Sequence, residues 1–122
     1  MAIDPGFAQR LARLIQEERT GLQGFIALLR REEALLIATQ IDALASLAEE
    51  KTALYRTLQR LSDERVVMFA RLGAAVNDAN IRVVLADLPD ALGAWQEVVS
   101  LAAEARERNR VNGQLITERL QN

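Results

Sequence analysis

The chain contains no cysteine and no histidine. Without thiols there is no disulfide, no thiolate nucleophile and no zinc-finger site. Without imidazole it lacks the commonest general base, the commonest metal ligand and the Glu-x-x-His pairs that hold di-iron centres in helical bundles. A carboxylate-only site would need several acids converging in a pocket, and nothing in the sequence points to one, so no cofactor or metal is expected. Aromatic residues make up only 4% of the 122 positions, and the prolines are two, Pro5 and Pro89. A sheet would call for more valine, threonine and aromatics. With prolines this rare, the chain between them can run in long helices.

Charge and hydropathy exclude two further classes. A formal net charge of -2 and a pI near 5.2 argue against a phosphate-binding surface, so no nucleic-acid partner is expected. Apolar runs such as Val66 to Ala70 are far too short to cross a bilayer, and no membrane insertion is expected. No signal peptide is evident, which makes the cytoplasm the default location. The opening MAIDPGF has no basic n-region, and residues of vector origin fit it as well as native ones do.

What is present is a long-helix composition: half of the residues are hydrophobic, and Leu, Ala, Glu and Arg dominate. The length suits one domain, residues 1–122, with enough chain to bury a core. Asp4 before Pro5 is a good helix start, because Asp can cap free amides and proline at the first position loses no bond. The first helix is predicted to run to about Ala38. Thr39 to Asp42 form the next break, with Thr39 or Asp42 capping a second helix that reaches about Gly73. Asn77 and Asp78 start a short third helix through about Ala86. Leu88 is biased away from helical geometry by Pro89, which opens a fourth helix running to the chain end.

The two long helices carry matching seams. In the first, Leu11, Ile15, Glu18, Leu22, Phe25, Leu29, Glu32 and Leu36 alternate in steps of four and three. In the second, Leu47, Lys51, Leu54, Leu58, Leu61, Arg65, Met68 and Leu72 do the same. Folding the chain at Thr39 to Asp42 sets Glu32 opposite Lys51 and Glu18 opposite Arg65, with one fold centre serving both pairs. The apolar layers would match in any heptad register, so the complementary charges carry the prediction. Charged seam residues of this kind specify register and orientation at some expense in stability. The expected architecture is all-α: an antiparallel bundle of two long hairpin helices, a short third helix and a long fourth.

The fourth helix has a seam of its own: Trp95, Val98 or Val99, Ala102, Ala105, Asn109, Asn112, Ile116 and Leu120. Asn109, Asn112 and Gly113 are poor helix formers. They are read as structural, with the two amides bonding across the bundle and Gly113 making room for a neighbouring backbone. Val111, Leu115, Ile116 and Leu120 lie where few downstream residues remain to cover them, and an uncovered apolar strip is an interaction surface. A dimer contact, or a face covered by further chain, would use the same strip, so self-association stays open.

Glu32, Asp42, Lys51, Arg65, the single Trp95 and above all NRVNGQLI, an N-x-x-N-G-x-x-I motif at 109–116, resemble the FlgN-like family of flagellar export chaperones. The similarity covers nearly the whole chain. It implies a small cytosolic all-helical chaperone of the flagellar type III secretion system, non-enzymatic and consuming no nucleotide. Its partners would be hook-associated proteins, also called hook-filament junction proteins, and the export apparatus that receives them. Family members usually continue beyond the N-x-x-N-G motif into an amphipathic part implicated in holding the client, which leaves open whether the client site is complete here. The alternative from the heptads alone is a non-enzymatic helical scaffold or adaptor.

Overall fold

A computed structural model describes residues 4–121, so Met1–Ile3 of the opening segment and Asn122 lie outside the described residues. The elements are α1 (Pro5–Ile37), a single 3-10 turn (Ile41–Ala43), α2 (Leu44–Leu72), α3 (Asp78–Val84) and α4 (Pro89–Gln121), with no strand among the described residues. The fold is all-α, a helical bundle.

Helix ends account for the connections. Asp4 stands at the N-cap of α1 and Pro5 at its first position, but the Asp4 side chain makes no capping bond. At the other end Thr39, expected to open the second helix, closes the first. It adopts a left-handed φ of 58°, and the amides of Thr39 and Gln40 donate back to the carbonyls of Leu36 and Leu35. That is a Schellman closure with threonine where glycine is usual, a conformation that costs a β-branched residue about 1–2 kcal/mol. The 3-10 turn then leads into α2, so neither Thr39 nor Asp42 serves as its cap. α2 ends in the same geometry with Gly73, φ 70°, in the left-handed position, where glycine avoids the strain. Asn77 caps α3 by accepting from the Asn80 amide at 2.8 Å, and α3 stops at Val84, two residues short of the expected end.

α1 is the central helix. It packs against both α2 and α4, and those two barely touch each other. α2 runs antiparallel to α1, as the pairs Glu18–Arg65 and Glu32–Lys51 require. α4 runs parallel to α1: Arg19 pairs with Glu97 at 3.5 Å, Arg30 with Glu104 at 3.7 Å, and the Arg119 Nε donates to the Leu36 carbonyl at 3.0 Å. α2 already brings the chain back to the start of α1, where Phe69 meets Phe7, and α3 links that end to α4, which climbs beside α1. The core lies on α1, where Leu11, Ile15, Leu22, Phe25, Ile26 and Leu29 are buried, and α4 adds Ala91, Ala94, Trp95, Val98 and Ala105. Between the seam positions Val98 and Val99, the structure buries Val98 and leaves Val99 46% exposed.

Two packing features escape the heptads. Phe7 and Phe69 meet edge to face, 5.6 Å between centroids, and close the base of the bundle. A Cβ on Gly21 would stand 2.9 Å from the Leu58 Cδ2, so the close approach of α1 to α2 is at Gly21. Because Leu29 is 1% exposed while Leu54 across from it is only half-buried, the two should not respond alike to truncation. Leu29→Ala should lower unfolding free energy by about 2–5 kcal/mol and Leu54→Ala by clearly less. Urea unfolding followed by circular dichroism measures both, and equal losses would contradict the central place given to α1.

Candidate functional site

Three regions gather the residues singled out by sequence: two polar nodes inside the bundle and the apolar end of α4. The lower node forms around Glu18, which accepts from the Arg65 Nη1. Glu18 is 5% exposed, and the Arg65 guanidinium lies 5.1 Å from the Trp95 ring centroid, over its face. The Trp95 Nε1 in turn donates to the Asp78 Oδ1 at 2.7 Å. One chain of contacts thus joins α1, α2, α4 and the start of α3. Sequence reading had the ion pair but not the indole bridge, for which a lone Trp offered no partner.

Burial pushes the Glu18 carboxyl above the ordinary glutamate range, outweighing the charge and hydrogen bond of Arg65, which pull it down. The charged form is therefore less favourable here than in the unfolded chain. Folding takes up protons between the ordinary glutamate value and the raised one. The stability this group contributes is full below that window and is lost as pH rises through it. Asp78 goes the other way: the Trp95 hydrogen bond, then that from Arg82, hold its carboxyl below the usual aspartate range.

The upper node centres on Glu32, also 5% exposed. The Lys51 Nζ donates to both of its oxygens, at 3.1 and 3.2 Å. Asn112 of α4 completes it: its Nδ2 donates to the Glu32 Oε1 at 2.9 Å and to the Leu29 carbonyl at 2.8 Å. Asn112 is fully buried, and its carbonyl oxygen has no donor. Of the three motif residues only Asn112 reaches across the bundle. Asn109 is exposed, one turn earlier on the solvent side. Gly113 is exposed too, with nothing within 4 Å of a Cβ placed on it, so it makes room for no neighbour. Both corrections have one cause: the narrow seam that α4 presents to α1 runs through buried Ala105 and Asn112, and Asn109 and Gly113 stand about 60° and about 100° around the helix from Asn112, both on the same solvent-facing side.

Glu18 and Glu32 stand fourteen residues apart on α1, about 21 Å along its axis. Each is sealed by its own basic partner, so the pair cannot act as general acid and base on one substrate.

The third region is the upper end of the bundle. Val111, Leu115 and Ile116 are half-buried, and Leu120 is 83% exposed. The Arg119 bond to the Leu36 carbonyl fixes the last turn of α4 against the end of α1. Ile37 and Ile41, in and beside the hairpin turn, are 61% and 57% exposed at that same end. The apolar surface is thus wider than the α4 strip expected from sequence. Its signal was an isoleucine on each side of the break, which a reading centred on helix seams passes over.

A family model described as FlgN protein matches residues 1–122. The chain belongs to the FlgN family. This is the family of flagellar export chaperones, and a general role in flagellar export, with binding of export substrates, follows from membership. No curated protein and no solved structure matches the chain. In this FlgN-family bundle no helix among the described residues is long and apolar enough to cross a membrane.

The Asn112 node makes a sharp prediction. Asn112→Ala removes one donor from Glu32 and should cost about 1–3 kcal/mol. Asn112→Asp sets a second carboxylate against the first and should cost more at neutral pH, with the difference shrinking as acid protonates one of them. Thermal melts of both variants across pH 4 to about 7 test this. Equal melting temperatures at neutral pH would remove Asn112 from the node.

Proposed function

We propose that this chain binds hook-associated, or hook-filament junction, proteins in the cytoplasm and holds them export-competent until the flagellar export apparatus takes them. The observation that supports this reading is the open apolar end, where Leu120, Ile37 and Ile41 face solvent beside half-buried Val111, Leu115 and Ile116. Monomeric proteins seldom leave large apolar side chains clustered without a partner. An amphipathic client helix laid over the end of α4 would bury them and its own apolar face together. Nothing in this requires catalysis: the chaperone covers a segment that would otherwise assemble or aggregate too early. The nodes below keep α4 in register, so the surface is presented by a fixed scaffold.

Substituting both Ile116 and Leu120 by Asp should weaken capture of a C-terminal helical segment of a hook-associated protein while leaving helix content intact, because neither residue belongs to the main core. Titration of the wild type and the double variant against that segment, with circular dichroism as folding control, measures it. Unchanged affinity in a folded variant would move the client site elsewhere on the bundle. No binding by the wild type, tested also with any native residues that follow Asn122, would favour the scaffold or adaptor reading.

A further inference from the structure

The flank of the α1–α2 hairpin turned away from α4 carries a groove of about 740 Å³ to which α4 contributes no residue. Its apolar lining is Leu14 from α1 with Val67 and Met68 from α2, and Val67 is 49% exposed. Along its sides stand five arginines: Arg10 and Arg13 on α1, and Arg56, Arg60 and Arg71 on α2. Against them are three acids, Glu17, Asp63 and Glu64. Two of these are engaged locally: Glu64 pairs with Arg60 at 2.6 Å, and Asp63 accepts from the Gln59 amide at 3.1 Å. Arg10, Arg13, Arg56 and Arg71 are exposed and have no carboxylate partner among the described residues. In a chain of net charge -2, unpaired arginines are thus concentrated along one apolar-floored groove.

We propose that this groove docks an acidic amphipathic helix of a partner protein. Two antiparallel helices form a trough into which the side-chain ridges of a third helix fit. Leu14, Val67 and Met68 would take its apolar stripe, and the arginines on both sides would pair with Asp or Glu flanking that stripe. From Arg56 to Arg71 the groove runs along about 22 Å of α2, the length of a four-turn helix. A nucleic-acid backbone fits less well, because Glu17 and the Asp63–Glu64 pair interrupt any continuous track for phosphates. The groove shares no residue with the apolar end of α4, so a chaperone could hold a client there and a second protein here at once. This inference does not rest on the identity of that client.

The test uses the whole chain and a synthetic helical peptide of about four turns, with leucines at alternating three- and four-residue spacing and glutamates beside them. Parallel probes are the same peptide with every Glu replaced by Lys, a single-stranded oligonucleotide, and vesicles containing an anionic lipid. Amide chemical shifts locate the contact, and fluorescence anisotropy measures affinity. The expected result is that the acidic peptide alone binds and shifts the α1 and α2 groove signals. Arg13→Glu combined with Arg56→Glu should weaken it about tenfold or more, and rising salt should weaken it too. Val67→Asp should also weaken it, while the Ile116 and Leu120 substitutions leave it unchanged. Because the substituted groove residues are exposed, circular dichroism should confirm that each variant folds. Shifts confined to the α4 end, equal binding of the Lys peptide, preference for the oligonucleotide or vesicles, or no binding of the acidic peptide would each overturn the proposal.

Discussion

The carboxylate of Glu32 is the point on which the three long helices depend. Lys51 of α2 and Asn112 of α4 both donate to it, each from a different neighbour of α1. A carboxylate this deep is costly unless its lone pairs are filled, and filling them requires both neighbours in one register. Slipping α2 by a single heptad would leave Glu32 facing leucine. Slipping α4 by four residues would replace the Asn112 amide with Arg108 or Ile116. Burial that would be a liability in isolation becomes the constraint that selects one arrangement from many apolar matches of similar energy.

Glu18 repeats the device four turns lower, with Arg65 as the charge and Trp95 covering the guanidinium. Its carboxyl is raised by burial despite the arginine, and a buried ion pair of this kind is a weaker source of stability than packing. Stability comes instead from the leucine layers on α1 and the aromatic contact at the base. The upper end has no such closure. There the last turn of α4 is tied by a single arginine to a helix-end carbonyl, and the surrounding apolar side chains stay open. The contrast between a pinned lower bundle and an uncovered end suits a scaffold that presents a surface to another protein.

The hairpin was legible because charge breaks the degeneracy of a heptad: two opposite-sign pairs fit a single fold centre, and the structure pairs the same residues. The fourth helix was half legible. Asn112 reaches the core, whereas Asn109 and Gly113 do not, because a motif fixes which residues are unusual but not which side of the helix faces inward. Thr39 misled for a related reason. Threonine is a good N-cap, and only the tertiary turn reveals that it closes the helix before it. Ile37 and Ile41 went unread as surface because an apolar residue beside a break is equally compatible with core, and Gly21 gave no sign of the leucine that faces it.

The most direct test of register by buried charge is a double-mutant cycle on Glu32 and Lys51, using Glu32→Gln to keep an acceptor for Asn112 and Lys51→Met to keep the length of the stem. Unfolding free energies of the four proteins give the coupling. If the buried pair fixes the hairpin as described, each single variant strands a polar or charged group, and the double variant loses less than the two together, with a coupling above about 1 kcal/mol. Losses that add to within about 0.5 kcal/mol would contradict it and leave the apolar layers alone to set the register.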